Sequence, residues 1–414
     1  MKKKSVLVAT YIAPWPLRGH GVSIRLYPLL ERLADHVDID VVAFSEYREK
    51  LGDDPILKKF RRVAVHASPQ RRPTLPERLK MVASIASPWG VPREYASYHV
   101  PEITDRLREF VGKSKYDVLL WVGYYHWQAI EGIRSSARRV VYDSMDSPSL
   151  HYERDPRHTG LAKALKPYDL WKCRRWERSL KKRTDATVYV SPVDASTAGG
   201  NALDIPNAVY PPDEPRPSVT AHSPCIGFLG NMGYAPNILG AKNLHDNIFK
   251  PLKARFPRLR LKIIGRNPAP EILALKAPDV EITGTVEDIW EHIYSVDVFV
   301  FPMTAGAGLQ NKILEAMVAG KPVVTTSICA GSVGAKVGHA IICQDTDEGL
   351  QEWVTCLLSI PEMAAVIGRR GQEFVRKTFD LERIFSLYER ALFGGVSMPI
   401  ENDALLGVPA LPLG

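Results

Sequence analysis

The chain has 414 residues, enough for two or three domains at roughly 150 residues each, and at 45% hydrophobic and 24% charged it has a globular composition that excludes wholesale disorder. Its formal net charge of +8 is unevenly placed: residues 58–93 hold nine Lys/Arg against one acid, Glu77, and residues 163–183 hold nine bases against two acids, so the remainder is net acidic. Two basic runs on a mildly acidic body imply an anionic partner, whether nucleotide phosphates, lipid headgroups or nucleic acid.

The cysteines (Cys173, Cys225, Cys329, Cys343 and Cys356) are odd in number and form no Cys-x-x-Cys pair. That argues against a disulfide framework or a metal site and for a reducing compartment, the cytoplasm. Lys2-Lys3-Lys4 precedes an apolar run that Pro14 and Pro16 interrupt, which is not a signal peptide. No window reaches the ~18 apolar residues of a membrane span, so a soluble or at most peripheral protein is expected.

In chain order, Ser5–Ala9 reads as a buried strand and Ile24–Ala34 as a helix, apolar at 24, 27, 30, 33 and 34. Val37–Phe44, Asp117–Val122, Arg139–Tyr142 and Ala186–Val190 read as further strands. A Pro-rich stretch, Ile205 to Pro217, interrupts the pattern. It then restarts with strands at Cys225–Leu229, Leu261–Ile264, Val280–Ile282, Val298–Phe301, Val323–Thr325 and Ala340–Cys343. Helices are expected at Asn237–Phe256, Asn311–Ala319 and within 361–393. This predicts an α/β chain with two doubly wound parallel sheets, residues 1–205 and 223–378, joined by a linker at 206–222. A C-terminal helix at 379–394 is expected to return toward the first domain, and 395–414 to be a loose tail. Ligands bind beyond the carboxyl ends of such strands, so the default site is the cleft between the two domains.

Several motifs lie at those ends. Gly19-His20-Gly21 follows the first strand and opens a helix, an arrangement that admits an anion. Ile24 stands where a dinucleotide fingerprint needs its third glycine, which disfavours NAD. His126 lies beyond a strand, and Asp143 and Asp146 end another, as a cleft-facing base would or as helix caps would. Gly230-Asn231-Met232-Gly233 forms a second strand–loop–helix junction, with Asn237 a plausible N-cap. Arg266 ends a strand, where it can reach a phosphate or stand free in solvent. Gly306-Ala307-Gly308-Leu309-Gln310-Asn311-Lys312 leads into a helix that also carries Glu315. Lys312 in the first turn opposes the helix dipole, which makes sense if an anion binds there; the alternative is a surface pair with Glu315. Asp345-Thr346-Asp347 has the Asp-x-Asp form of some metal-dependent sugar transferases, but Asp345 or Asp347 as an N-cap explains it without a metal.

These segments resemble a GT-B glycosyltransferase, most of all the family-4-type group of bacterial sugar transferases and its exopolysaccharide-associated subgroup. Gln310 through Val324 carries the likeness best. Ser191-Pro192-Val193-Asp194, Ile205-Pro206-Asn207, Phe228 through Met232, Ile264-Gly265-Arg266 and Ile282 through Asp288 extend it over most of the chain. The resemblance implies that Glu315 holds the donor ribose, the backbone at Thr285 and Val286 holds the base, and Gly308 to Asn311 face the sugar and diphosphate. It departs from the family at Ala307, where a Glu is usual, and at Asn231, where a phosphate-binding Arg is usual. With those two absent, the resemblance implies that Lys312, with Arg266, neutralises the diphosphate. His126 comes later than the family's catalytic-region His.

The activity implied is transfer of a hexose from a nucleotide diphosphate sugar, a UDP- or GDP-sugar, to a glycan, lipid-linked or small-molecule acceptor, with retention, no cofactor and no metal. If the reaction inverts, Asp143 or Asp146 is the base. A sugar-nucleotide epimerase of the same fold and a catalytically degenerate sugar-nucleotide-binding scaffold are the alternatives. No recognised module supports nucleic-acid binding. The run 58–93 mixes its bases, Arg71, Arg72 and Lys80 among them, with Leu79, Met81, Val82, Ile85 and Trp89. It suits either a solvated surface or peripheral contact with anionic lipid on the inner face of the plasma membrane.

Overall fold

The structure is a computed structural model. It describes residues 3–17, 20–45, 53–67, 74–90, 92, 100–123, 127–155, 160–180, 182–199, 202–209, 223–305 and 308–394. The chain forms two compact units. One comprises Met1–Asn207 with Ile384–Val396, and the other is built on Ala208–Arg383.

The first unit holds a seven-stranded sheet of β1 (Lys4–Thr10), β2 (Val37–Phe44), β3 (Arg62–His66), β4 (Tyr116–Val122), β5 (Ala137–Met145), β6 (Ala186–Tyr189) and β7 (Ala202–Asp204), in the order β3-β2-β1-β4-β5-β6-β7. Every pairing is parallel. Strands buried on both faces read as continuous apolar runs, and Val6–Ala9 and Val118–Val122 are almost wholly inaccessible. Two strands escaped the sequence reading. β3 is an edge strand whose Arg62 and Val63 are exposed, so it lacks the apolar signature. β7 is only three residues long.

The second unit repeats the plan with β8 (Cys225–Leu229), β9 (Arg260–Ile264), β10 (Val280–Ile282), β11 (Val298–Phe301), β12 (Val323–Thr325) and β13 (Ile342–Cys343), ordered β10-β9-β8-β11-β12-β13 and again parallel. In both units the order reverses beside the first strand. The loops after β1 and β4, and those after β8 and β11, therefore flank each unit's topological switch point.

Some local expectations change. The helix expected at Asn237–Phe256 begins at Ala235 and runs through a π-helical segment, Leu244–Phe249, to Arg255. Its N-cap is Tyr234, so Asn237 lies inside the first turn and does not cap it. Neither Asp345 nor Asp347 caps the helix Asp347–Ser359. Thr346 does, its side chain accepting from Gly349 N at 3.1 Å. Asp345 accepts from Ser327 N and Asp347 from Asn243 Nδ2, so the two carboxylates are committed to different partners. Among the described residues, no single helix is long and apolar enough to cross a membrane.

Candidate functional site

In the second unit the loops after β8, β9 and β11 converge. Gly230 closes β8, and a Cβ on Gly265 would fall 1.6 Å from Gly230 O, so the two loops meet backbone to backbone. Met232 N donates to Arg266 O at 2.9 Å and Gly233 N to Asn231 Oδ1 at 3.1 Å, which fixes Gly230–Gly233 as a tight turn. Arg266 is half-buried in this junction, Thr285 is exposed and Val286 half-buried in the loop after β10.

The loop after β11 leads through Gly308, at φ +72°, to Leu309 and Gln310. Gln310 is the N-cap of the helix Asn311–Val318 but makes no side-chain cap bond. Asn311 N donates to Leu309 O at 3.1 Å and Ile313 N to Gln310 O at 2.9 Å, so backbone carbonyls hold this first turn. Gly306 lies outside the described residues.

Of the two courses open to Lys312 in sequence, burial removes the surface pair with Glu315, because only 9% of the residue is exposed. Its Nζ donates to Asn237 Oδ1 at 2.5 Å, touches Met303 Sδ at 3.7 Å, and lies 5.5 and 5.9 Å from the ring centroids of Phe228 and Phe301. Among the described residues no carboxylate pairs with it. Loss of solvation pulls the ammonium down to about 8. Asn237, which the sequence suggested as a cap, is thus the neutral acceptor of a buried cation. It also donates to Asn231 O at 3.0 Å, joining the Lys312 helix to the Gly230 loop. Glu315 and Asn311 are half-buried along the same helix.

The first unit supplies a second cluster. His20 is the N-cap of the helix Gly21–Leu33, its Nδ1 accepting from Ser23 N at 3.2 Å while its own N donates to Ser23 Oγ at 3.0 Å. That capping box gives His20 a structural duty. Gly21 is exposed, and a Cβ there would lie 3.8 Å from Met145 Cε, so this loop meets the end of β5. Gly19 and His126 lie outside the described residues.

Asp143 was a candidate base, and its surroundings do not suit that role. It is wholly buried, with Oδ2 accepting from Arg25 Nε at 2.6 Å and Tyr388 OH at 2.7 Å, and Oδ1 accepting from Met145 N at 3.0 Å. With both oxygens engaged and no exposure, it is an anchor. Arg25, on the buried face of its helix, also donates to Ile205 O and Asn207 Oδ1. A charged residue among Val22, Leu26, Leu29 and Leu33 was the signal available for it. Its partners, 118 to 182 residues away, were not legible.

Asp146 is different. Met145 stands at φ +66°, a left-handed conformation that strains a residue with a Cβ, and this kink turns the chain out of β5 at Asp146. Loss of solvation, then the nearby charge of Asp194, pushes the Asp146 carboxyl up to about 7. Asp194 is itself held by Ser147 N, which donates to its Oδ1 at 2.7 Å, and by Ser191 Oγ. A carboxyl that titrates near neutrality can take or give a proton at working pH. The sign follows from its direction: the folded chain keeps this proton above the ordinary carboxylate range, so stability falls as pH rises from about 4 to about 7. Asp146→Asn is expected to remove that slope in pH-dependent melting. It should also erase any activity limb near pH 7, and an unchanged pH–rate profile would exclude Asp146 from proton transfer.

Residues 223–359 match the family model described as glycosyl transferases group 1, and no curated protein matches the chain. Sucrose-phosphate synthase (tll1590) from Thermosynechococcus elongatus superposes with a TM-score of 0.68 at 13% identity, over 94% of this chain and 98% of that one. A glycosyltransferase from Rickettsia africae ESF-5 gives 0.64 at 13%, over 95% and 100%. Anabaena Alr3699/HepE, in a structure with UDP and glucose, gives 0.60 at 15%, over 94% and 99%. The fold is GT-B. Its two parallel-sheet units are those described above, and the family match falls within the second GT-B unit, where the Gly230 loop, the Gly308 loop and Lys312 come together.

Proposed function

We propose that the protein is a glycosyltransferase of the family-4-type group, moving a hexose from a nucleotide diphosphate sugar to a glycan, lipid-linked or small-molecule acceptor. The observation that carries this is Lys312, a buried cation with no described carboxylate partner, in the first turn of a helix. An anion placed there would offset the desolvated ammonium, and the positive end of the helix dipole favours it. A diphosphate is such an anion. Two further observations support the reading. The family match, residues 223–359, falls within this unit, and the Anabaena Alr3699/HepE structures hold UDP, UDP and glucose, or UDP-glucose.

In this reading the Gly230–Gly233 and Gly308–Asn311 loops let the donor approach the backbone closely. Lys312, with Arg266, neutralises the nucleotide diphosphate as it departs from an oxocarbenium-like centre. Preorganised cations and amides aimed at developing charge lower that barrier. Glu315 and the Thr285–Val286 backbone serve ribose and base. Retention and independence of a metal belong to the same proposal and come from the resemblance to the family. Asp146 is the residue placed to move a proton on the acceptor side. The five cysteines, all free, favour a reducing compartment, the cytoplasm.

A thermal-shift screen of UDP-, GDP- and dTDP-sugars tests the donor class. One of them at ~100 times its dissociation constant should stabilise the donor unit by about 2.7 kcal/mol and raise its melting temperature by several degrees. If none of the three shifts the transition, the donor-site reading fails.

A further inference from the structure

The two basic runs, separate in sequence, meet in the first unit. The helix Gly160–Leu180 closes over the carboxyl end of the helix Leu75–Ala86. Lys172 Nζ donates to Ser84 O and Ile85 O at 3.1 and 2.8 Å, Tyr168 OH to Ala86 O at 3.2 Å, and Arg175 to Pro88 O at 2.6 Å. These donors satisfy carbonyls that the end of a helix leaves open.

The same packing turns apolar side chains outward. Leu75, Leu79 and Val82, at i, i+4 and i+7, form one helical stripe and are 71, 63 and 59% exposed. Trp89 is 78% exposed and Trp171 48%. Tyr168 stacks on Trp171 at 6.0 Å, and the Arg175 guanidinium lies 3.8 Å from the Trp89 ring centroid and 5.8 Å from that of Trp171. A solvated face would not carry such residues together, and exposed apolar surface on this scale marks an interaction site.

We propose that this surface docks on a membrane that carries anionic lipid. The sign of the charge selects the occupant. Arg175 stands among the exposed rings and Arg178 is exposed one turn further along the same helix, whereas Asp169 is buried against Tyr152. Part of the first run is spent internally, since Arg61 forms a bidentate pair with Asp40 and Lys59 pairs with Asp35. The first run still contributes Arg78, exposed on the helix that carries the apolar stripe. Trp and Tyr rings favour the level of the headgroups, leucine and valine side chains enter just below it, and Arg meets the phosphates. The surface belongs to the first unit, which carries Asp146, the residue that the proposed function assigns to the acceptor side, so a lipid-linked acceptor would be met at the membrane itself.

Sedimentation of the full chain with vesicles tests this. Vesicles of phosphatidylcholine with phosphatidylglycerol should pull the protein down at low salt, and phosphatidylcholine alone should not. Raising the salt should release it. Leu79→Asp with Val82→Asp should weaken binding by about tenfold or more while leaving the melting temperature and nucleotide binding unchanged, because both side chains point to solvent. Brominated anionic lipid should quench tryptophan fluorescence, and Trp89→Ser should remove part of that quenching. Absence of anionic-vesicle binding, equal binding to neutral vesicles, or full binding by the double variant would each overturn the proposal. So would a concentration-dependent dimer abolished by those substitutions without any vesicle binding, which would assign the face to a second copy of the chain.

Discussion

A Lys312→Met variant is expected to melt higher than the wild type and to lose nearly all transfer. Burial holds the ammonium at about 8 against an ordinary 10.5, which corresponds to about 3 kcal/mol of destabilisation at pH 7. Met has a similar length and is compatible with Phe228, Phe301 and Met303 around it. Removing the donor to Asn237 Oδ1 costs about 1 kcal/mol, so a net gain of about 2 kcal/mol remains. The sign of the pH dependence follows from the direction of the shift. Between about 8 and 10.5 the unfolded chain holds a proton that the folded chain has lost, so wild-type stability rises with pH there and the variant's does not.

Transfer should fall by about 10²–10³-fold, as it does when a donor aimed at developing negative charge is removed. Near-normal turnover would end the phosphate role. A second readout is independent of turnover. A diphosphate beside Nζ raises its affinity for a proton, so donor binding at pH 8.5 should take one up in part. Calorimetry in buffers of different ionisation enthalpy measures this, and Lys312→Met should show none.

The second large effect is structural. Arg25→Met is expected to destabilise the first unit by about 3–5 kcal/mol, because it strands the fully buried Asp143 carboxylate. Tyr388 OH and Met145 N would be its remaining donors. The loss should exceed the pair alone, since Arg25 also holds Ile205 O and Asn207 Oδ1, where the chain leaves this unit, and lies 5.5 Å from the ring of Tyr388, where the chain returns to it. For a unit of this size the melting temperature should drop by about 10 °C. Replacing both members, Arg25→Met with Asp143→Leu, should recover much of the loss, since an apolar pair does not leave a charge without its partner. If the double variant is as unstable as the two single losses added together, the pair is not the anchor described.

Much of the fold was legible because its signals are local. Continuous apolar runs such as Val37–Phe44 and Cys225–Leu229 mark strands buried on both faces, and their alternation with helices and Gly loops implies two parallel sheets. The edge strand β3 was not legible, because an edge need not be apolar. The site divides along the same line. The sequence determined by itself which loops end strands, that Lys312 opens a helix against its dipole, and that the positive charge lies in two runs. Only the tertiary structure decided that Lys312 turns inward to Asn237, that Asp143 is occupied by Arg25 and Tyr388 while Asp146 titrates near neutrality, and that the two basic runs share one apolar face. The physical reason is range. Periodicity and chain-turn chemistry act over a few residues, whereas the cost of a buried charge depends on partners that the fold brings from 75 to 245 residues away.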